Sequence, residues 1–597
     1  MKTLLRIASI AVFTAGYSLQ AGAEQKDDAE ADVTASISEP SAEDVKPPAI
    51  AEESFDQAVV GLVHDEVGEA PDGEDRKTLV HQALRAFYTG SAAKPIWVGE
   101  NGPNQKARDA AKEIGAADAY GLDPKAYDLP DVTTTARSRD ALAKVELKMT
   151  RAVLAYAHHA KAGRISPAKV GHSLNNPTSL ENPRAFLESL QADDDVVARL
   201  QDLHPKHTQF VQLKKKLADL RGGGESKPRV QIPDGPALRT GTKHAHVALL
   251  RKRLDVASSE DVKANTFDDT VKAAVIEFQK DKGLKADGVV GNGTRRALNG
   301  QSNEQLAVRI LANMERWRWL PDDLEGEAGI FVWANIPEFR TRIVKAGKTV
   351  FDERVIVGKT NKKTPVFSDK MEWIEFHPTW YVPNSIKVED IGPSLRRPTS
   401  TVVERYHLRI NCGSHGSDWR KIDWNSVNIR NCSVTQPPGA KSVLGDFKFK
   451  FPNAHAVYMH DTPTKRLFGT TTRTYSHGCV RIQNPRRMAE VLLDHDKGMS
   501  SSRIDQILKG PKRLHTEKLQ KHVPVHITYF TTVFNKDGKL QTRSDYYGHD
   551  KKLAQVLTGK GHLLKVPVIA VSRKRRPRPQ RTRTAQDTPW TNAFSAN

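Results

Sequence analysis

Apolar residues recur three and four positions apart from about residue 55. Leu79, Val80, Ala83, Leu84 and Phe87 form one such series, and Leu142, Val145, Met149, Val153 and Tyr156 form another. That spacing lines one face of an α-helix. Gly and Pro breaks such as Gly121-Leu122-Asp123-Pro124 separate the predicted helices. The helical block spans residues 55–235 and passes through Arg221-Gly222-Gly223-Gly224. It holds no cluster of reactive side chains, and His158 and His159 are expected there as packing or surface residues. Residues 236–302 form a smaller unit. Val247, Leu250 and Leu254, then Ala274, Val275 and Phe278, then Ala297 and Leu298 fit three short amphipathic helices. Gly283, Gly288 and Gly291 fall between them, where a positive φ would cost a glycine little.

After residue 303 the period changes. Gly329 to Ile336, Thr341 to Val344, Arg354 to Gly358, Trp373 to Phe376 and Thr379 to Val382 read as closely spaced strands. From about 386 to 438 they give way to a polar, Arg- and Asn-rich stretch, expected as an inserted cap. Strand character returns at Leu444 to Phe449 and reaches Tyr458-Met459-His460. Val523 to Phe534, the Asp537-Gly538 turn and Leu540 onward read as a closing hairpin. The expected fold is multidomain α+β: a helical scaffold, a small three-helix module, and a mostly antiparallel β domain over 303–557.

The two ends read differently. Lys2 and Arg6, an apolar run from Ile7 to Leu19, and Ala21-Gly22-Ala23 predict an export signal over residues 1–23. Residues 24–54 are acidic and poor in aromatics, so they are expected to be a disordered tether. Residues 558–597 contain Arg573-Lys574-Arg575-Arg576 among prolines and are expected to be a disordered basic tail. The formal net charge of +20 would suggest nucleic acid for a protein kept inside the cell. With export, an anionic envelope surface becomes the expected partner and nucleic acid is set aside. No phosphate-binding loop, dinucleotide fingerprint or zinc-ligand spacing occurs, so no cofactor or metal is expected.

The chain has three cysteines. Cys412 and Cys432 share one polar segment and are the expected disulfide, which leaves Cys479 as a free thiol. Cys479 sits in Ser476-His477-Gly478-Cys479-Val480-Arg481, downstream of His460. A thiol paired with an imidazole makes a nucleophile for carbonyl carbon, and the imidazole is expected to activate it. Gly478 permits a tight bend that would free backbone N–H groups to hold an oxyanion. Acyl transfer through a thioester is the reaction class these residues imply.

His460 with the Ser476–Arg481 run resembles the L,D-transpeptidase signature of YkuD-type domains. Val357-Gly358-Lys359, Thr364-Pro365-Val366-Phe367-Ser368, Trp380-Tyr381-Val382-Pro383, Pro437-Pro438-Gly439 and His460-Asp461-Thr462-Pro463 are similar to the large YcbB-like branch. The 236–302 segment resembles a peptidoglycan-binding helical module. The resemblance implies a periplasmic, wall-associated enzyme acting on peptidoglycan stem peptides and glycan. Cys479 would take an acyl group from a tetrapeptide stem with loss of D-alanine, and a second stem would resolve it as a 3→3 cross-link. It implies His460 as general base, oriented by the Asp461 backbone, and the Gly478 and Cys479 N–H groups as oxyanion hole. Arg481 would bind a carboxylate or brace the loop. Ser476, Tyr475, Trp424 and Trp380 are the expected substrate contacts. The YcbB-like branch often has Ser where this chain has His477, so a second imidazole competes for the base role. Tyr458 and Met459 are expected in the strand core. Water as acceptor would give an L,D-carboxypeptidase, and an envelope protein's amine would give a protein-to-wall ligase. A non-catalytic wall-binding protein and a sortase-like thiol transpeptidase are the remaining alternatives.

Overall fold

The computed structural model describes residues 54–559, apart from 70–75, 136, 171–179, 181, 223–229, 259–262, 282–283 and 301, and apart from the side chains of 76, 77 and 79. The expected export signal, most of the acidic tether, the basic tail beyond 559 and Gly283 lie outside the described residues.

The scaffold helices begin and end where the sequence supplies caps. Ser54 accepts the Gln57 N–H in a capping box that opens Phe55–Val67. Ser138 caps the long helix Arg139–Ala162, which stops at Gly163, whose φ is +86°. Leu142, Met149, Val153 and Tyr156 are fully buried on this helix. Its Glu146 is buried as well, accepting from Tyr88 Oη and from the Ile96 and Trp97 N–H groups. Those two residues lead into the short hairpin of β1 (Val98–Gly99) and β2 (Gly102–Pro103). The carboxylate therefore substitutes for a strand partner in satisfying that turn.

The small module has helices Ala245–Leu254, Asp269–Asp281 and Asn292–Asn299 around Val247, Leu250, Phe267, Val271, Val275, Val290 and Leu298. Gly288 has φ +71°. Gly291, expected at a positive φ, instead sits at −82° as the N-cap of the third helix. Helix Asn303–Trp317 then joins the module to the β domain. Trp317 stacks on Phe530 at 4.4 Å, and Asn313 accepts the Thr531 N–H.

The β domain contains β3 (Ile330–Asn335), β4 (Arg340–Lys345), β5 (Lys348–Gly358) and β6 (Phe367–Phe376). Then come the cap strands β7 (Trp380–Tyr381), β8 (Arg409–Asn411) and β9 (Ser433–Gln436). The main sheet resumes with β10 (Phe447–Lys450), β11 (Met459–His460), β12 (Thr474–Ser476), β13 (Val480–Ile482) and β14 (His515–Thr528). Its order is β5-β13-β11-β10-β6-β14-β3-β4, and β4 pairs back to β5, so the sheet closes on itself with β12 attached to β5. Closure removes free edges. Most pairings are antiparallel, but β11–β13, β12–β5 and β14–β3 are parallel. Helices Pro485–Lys497 and Ser501–Lys509, which the strand pattern does not anticipate, follow β13 and bury Met488, Leu492, Leu493 and Ile504 against the ring. The expected closing hairpin is divided. Val523–Thr528 belongs to β14 between β6 and β3, while β15 (Thr532–Phe534) and β16 (Leu540–Thr542) make a separate hairpin with Gly538 at its turn.

The cap has its own core, drawn from Trp380 to Leu444 and so wider than the expected 386–438. Cys412 and Cys432 are disulfide-bonded within it.

Candidate active site

Two-residue periodicity builds the site. Met459 and Val480 are register partners on β11 and β13, and both are fully buried in the ring's core. Their sequence neighbours therefore face the other way. Tyr458, His460, Cys479 and Arg481 thus share one outer face, which the cap overhangs. His460 pairs with Arg481 on one side and Lys448 on the other, and Lys448 pairs with Glu375. A row of ionisable groups crosses four strands, with Lys448 Nζ 3.2 Å from Glu375 and 4.7 Å from the Tyr458 ring centre.

Cys479 is half-buried and unbridged. Burial pushes its thiol above the ordinary value, while hydrogen bonds from Tyr458 and the charges of Lys448 and Arg481 pull it back. Burial and then Arg481 lower His460 to about 3, opposed by the Asp461 backbone. Its Nδ1 is buried without a hydrogen-bond partner. Burial thus favours the uncharged form of each group, thiol at Cys479 and imidazole at His460, whereas the sequence suggests an activated sulfur. Desolvation outweighs the neighbours at Cys479 and acts together with the Arg481, Lys448 and Lys465 charges at His460.

Tyr458, expected in the strand core, instead bonds Cys479 and receives a hydrogen bond from Trp380 of the cap. The alternation around Met459 could have identified it. The Asp461 carboxylate serves the loops around it, accepting the Asp446 and Thr462 N–H groups. It fills the space beside Gly445, where a Cβ would meet its Oδ2 at 2.2 Å.

The Ser476–Arg481 loop departs from expectation at two residues, Ser476 and Gly478. Ser476 is buried, donates to the Cys479 carbonyl at 2.6 Å and accepts the Gly478 N–H at 3.2 Å. It braces the loop rather than lining a substrate groove, and it occupies one of the two expected oxyanion donors. Among the described residues, no acceptor takes the Cys479 N–H.

A cavity of about 740 Å³ lies between cap and ring, lined by Trp380, Asp390, Arg397, Arg405, His477 and Arg481 among others. Arg481 Nη1 donates to Thr464 at 3.3 Å, while its Nε is buried and unpartnered. His477 Nε2 is 3.1 Å from Asp390 of the cap, and burial lowers its pKa. Trp424 does not line the cavity. It packs in the cap core, and its indole N–H is taken by the Trp419 carbonyl at 2.8 Å. Tyr475 is exposed on β12 and is not a lining residue either. Among the described residues there is no group of three or more His, Cys, Asp or Glu able to hold a metal. No helix among them is long and apolar enough to cross a membrane.

Residues 329–505 match the model of the L,D-transpeptidase catalytic domain, 243–298 that of a "putative peptidoglycan binding domain", and 82–217 that of a scaffold domain. A Haemophilus influenzae protein named "putative L,D-transpeptidase" is 29% identical over 248 residues, 42% of this chain and 49% of that protein. The N-acetylmuramoyl-L-alanine amidase CwlM of Mycobacterium tuberculosis is 34% identical over 95 residues, 14% of this chain and 23% of that protein. The chain thus spans about half the length of the first relative and about a quarter of the second. A solved L,D-transpeptidase from Xylanimonas cellulosilytica aligns at 15% identity and TM-score 0.16 over 49% of this chain and 98% of that one. Another from Stackebrandtia nassauensis aligns at 15% and 0.15 over 51% and 97%. At such TM-scores these two alignments add nothing to the reading of the fold. The family models and the Haemophilus relative agree with one another: this chain carries a YkuD-type L,D-transpeptidase catalytic domain together with a peptidoglycan-binding domain.

Proposed function

We propose that the protein transfers acyl groups between peptidoglycan stem peptides, taking a tetrapeptide stem as donor and a second stem as acceptor. The observation that carries this reading is the shared outer face of Tyr458, His460, Cys479 and Arg481 beside a cavity of mixed charge. His460, neutral down to about pH 3, removes the Cys479 proton as the sulfur attacks the carbonyl between diaminopimelate and the terminal D-alanine. The Tyr458 hydroxyl and the Lys448 and Arg481 charges stabilise the sulfur as it becomes anionic. The Cys479 N–H receives the oxyanion. The C–N bond breaks, His460 returns the proton to the departing D-alanine amine, and a thioester remains. An amine of the second stem, losing its proton to His460, then displaces Cys479 and gives a 3→3 cross-link.

Because thiol and imidazole are both neutral at rest, proton transfer accompanies attack instead of preceding it. His477, held by Asp390 of the cap, supports the cavity wall better than it serves as base. The peptidoglycan-binding domain would hold the enzyme on its polymeric substrate, in the periplasm. The basic tail would add attraction to an anionic envelope surface.

Incubation with tetrapeptide-bearing muropeptides, followed by mass analysis, tests the reading. Dimers with the mass of two tetrapeptide monomers less one D-alanine are expected. Tripeptides alone would assign a carboxypeptidase, stems joined to an envelope protein would assign a ligase, and unchanged muropeptides would overturn acyl transfer.

A further inference from the structure

The peptide that supplies the Cys479 N–H is held from behind by a side chain outside the Ser476–Arg481 run. Thr364 is fully buried, and its hydroxyl donates to the Gly478 carbonyl at 2.8 Å while accepting the Gly358 N–H at 2.9 Å. A hydroxyl has one hydrogen to give, so these two bonds fix its orientation. In a trans peptide the C=O and the following N–H point in opposite directions. Tethering the Gly478 carbonyl to Thr364 therefore turns the Cys479 N–H away from Thr364. Gly478 has φ +120°, a conformation in which a Cβ would be strained.

Thr364 is itself held. Its N–H donates to Tyr547 Oη at 3.3 Å, and Tyr547 donates to the Gly358 carbonyl at 2.6 Å. Gly358 closes the arrangement tightly, since a Cβ there would meet the Lys362 carbonyl at 2.0 Å. Tyr547 is anchored by its N–H on Tyr529 Oη at 2.8 Å and by Lys363 Nζ on its carbonyl at 2.7 Å. It lies beyond residues 329–505, the stretch matched by the catalytic-domain model.

We propose that Thr364 is a positioning residue for the oxyanion donor, and that Tyr547 from the C-terminal segment holds it in place. The inference rests on the acyl-transfer reading. Attack on a carbonyl builds negative charge on oxygen and needs an aimed N–H, whereas alkylation of the same sulfur builds none. The two reactions therefore separate an effect on the donor from an effect on the thiol or the fold.

The test uses the full chain, with p-nitrophenyl acetate as acyl donor and iodoacetamide as alkylating agent. In the first reaction the Cys479 sulfur bonds to the acetyl carbon and p-nitrophenolate leaves. In the second it displaces iodide. T364V should slow acylation by about tenfold to a hundredfold, less than the roughly 10²–10³-fold for removing an oxyanion donor outright because the N–H is mis-aimed and not lost, and leave Cys479 alkylation within about twofold. T364S should restore acylation, and Y547F should give a smaller loss of the same kind. Equal slowing of both reactions in T364V, unchanged acylation, or failure of T364S to rescue would overturn the proposal. If T364V does not fold, Y547F compared in the same two reactions decides it. A wild-type chain releasing no more p-nitrophenolate than C479A would instead overturn the acyl-transfer reading beneath it.

Discussion

The ring and the cap face each other across one cavity, yet they are stabilised in different ways. The ring is closed by backbone pairing on every side and packed around Met459, Val480, Ile374, Phe449 and Leu492. The cap has a three-stranded sheet, short helical turns, a smaller core and a disulfide. Its polar contacts with the ring domain include His477 with Asp390, Lys362 with Glu389, and Trp380 with Tyr458. The groups proposed to make and break bonds stand on the ring, next to the fully buried Met459 and Val480 of its core. The groups that shape the cavity stand largely on the cap.

This division makes the loss of His460 the most damaging change. His460→Ala should slow acyl transfer by about 10²–10⁴-fold, the span of general-base catalysis, measured as the rate of D-alanine release. His477→Ala should cost less, because its ring faces the cap. The reverse order would move the chemistry to the boundary and break the comparison. Replacing both Cys412 and Cys432 by Ser should destabilise the cap by about 3 kcal/mol on loop-closure grounds. Limited proteolysis should then cut within 380–444 while the ring keeps its melting temperature.

Acid should act on the ring and scaffold first. Burial lowers His460 to about 3, His526 to about 4, and His549 and His204 to about 2, and none of these is in the cap. Between each of those values and about 6.5, the unfolded chain binds a proton that the folded chain refuses. Stability is therefore complete above 6.5 and falls as the pH drops below it, by at most about 1.4 kcal/mol per histidine per pH unit. Melting curves from pH 7 to 4 measure the slope, which H549Q should make shallower. The smallest effect belongs to Asp390→Asn. Its partly exposed pair with His477 is worth about 1 kcal/mol or less, so KM should rise a few-fold while kcat holds.

Much of this arrangement is legible in the chain. Helical and strand periods separate the scaffold from the β domain, and the Cys479 motif marks the proposed nucleophile. What escapes a linear reading arises from pairing between distant segments. Tyr458 reads as core until the register of β11 on β13 shows that it shares a face with Cys479. The ionic row from Glu375 to Arg481 joins four strands that are separated in sequence. Ser476 reads as a substrate contact because nothing in its neighbours announces that its hydroxyl will take the Gly478 N–H. Trp424 sits in a polar stretch that resembles an open loop, but the stretch folds around a core of its own and encloses the indole.

The position of β14 sets an order on assembly. It is the last strand of the ring in the chain, and it stands between β6 and β3. A chain emerging amino end first presents both of those strands with unmet hydrogen-bonding edges until residues 515–528 arrive. The thiol and its partners are thus complete in sequence before the barrel that holds them can shut, so newly made protein passes through a stage at which a holding chaperone would find an exposed strand edge.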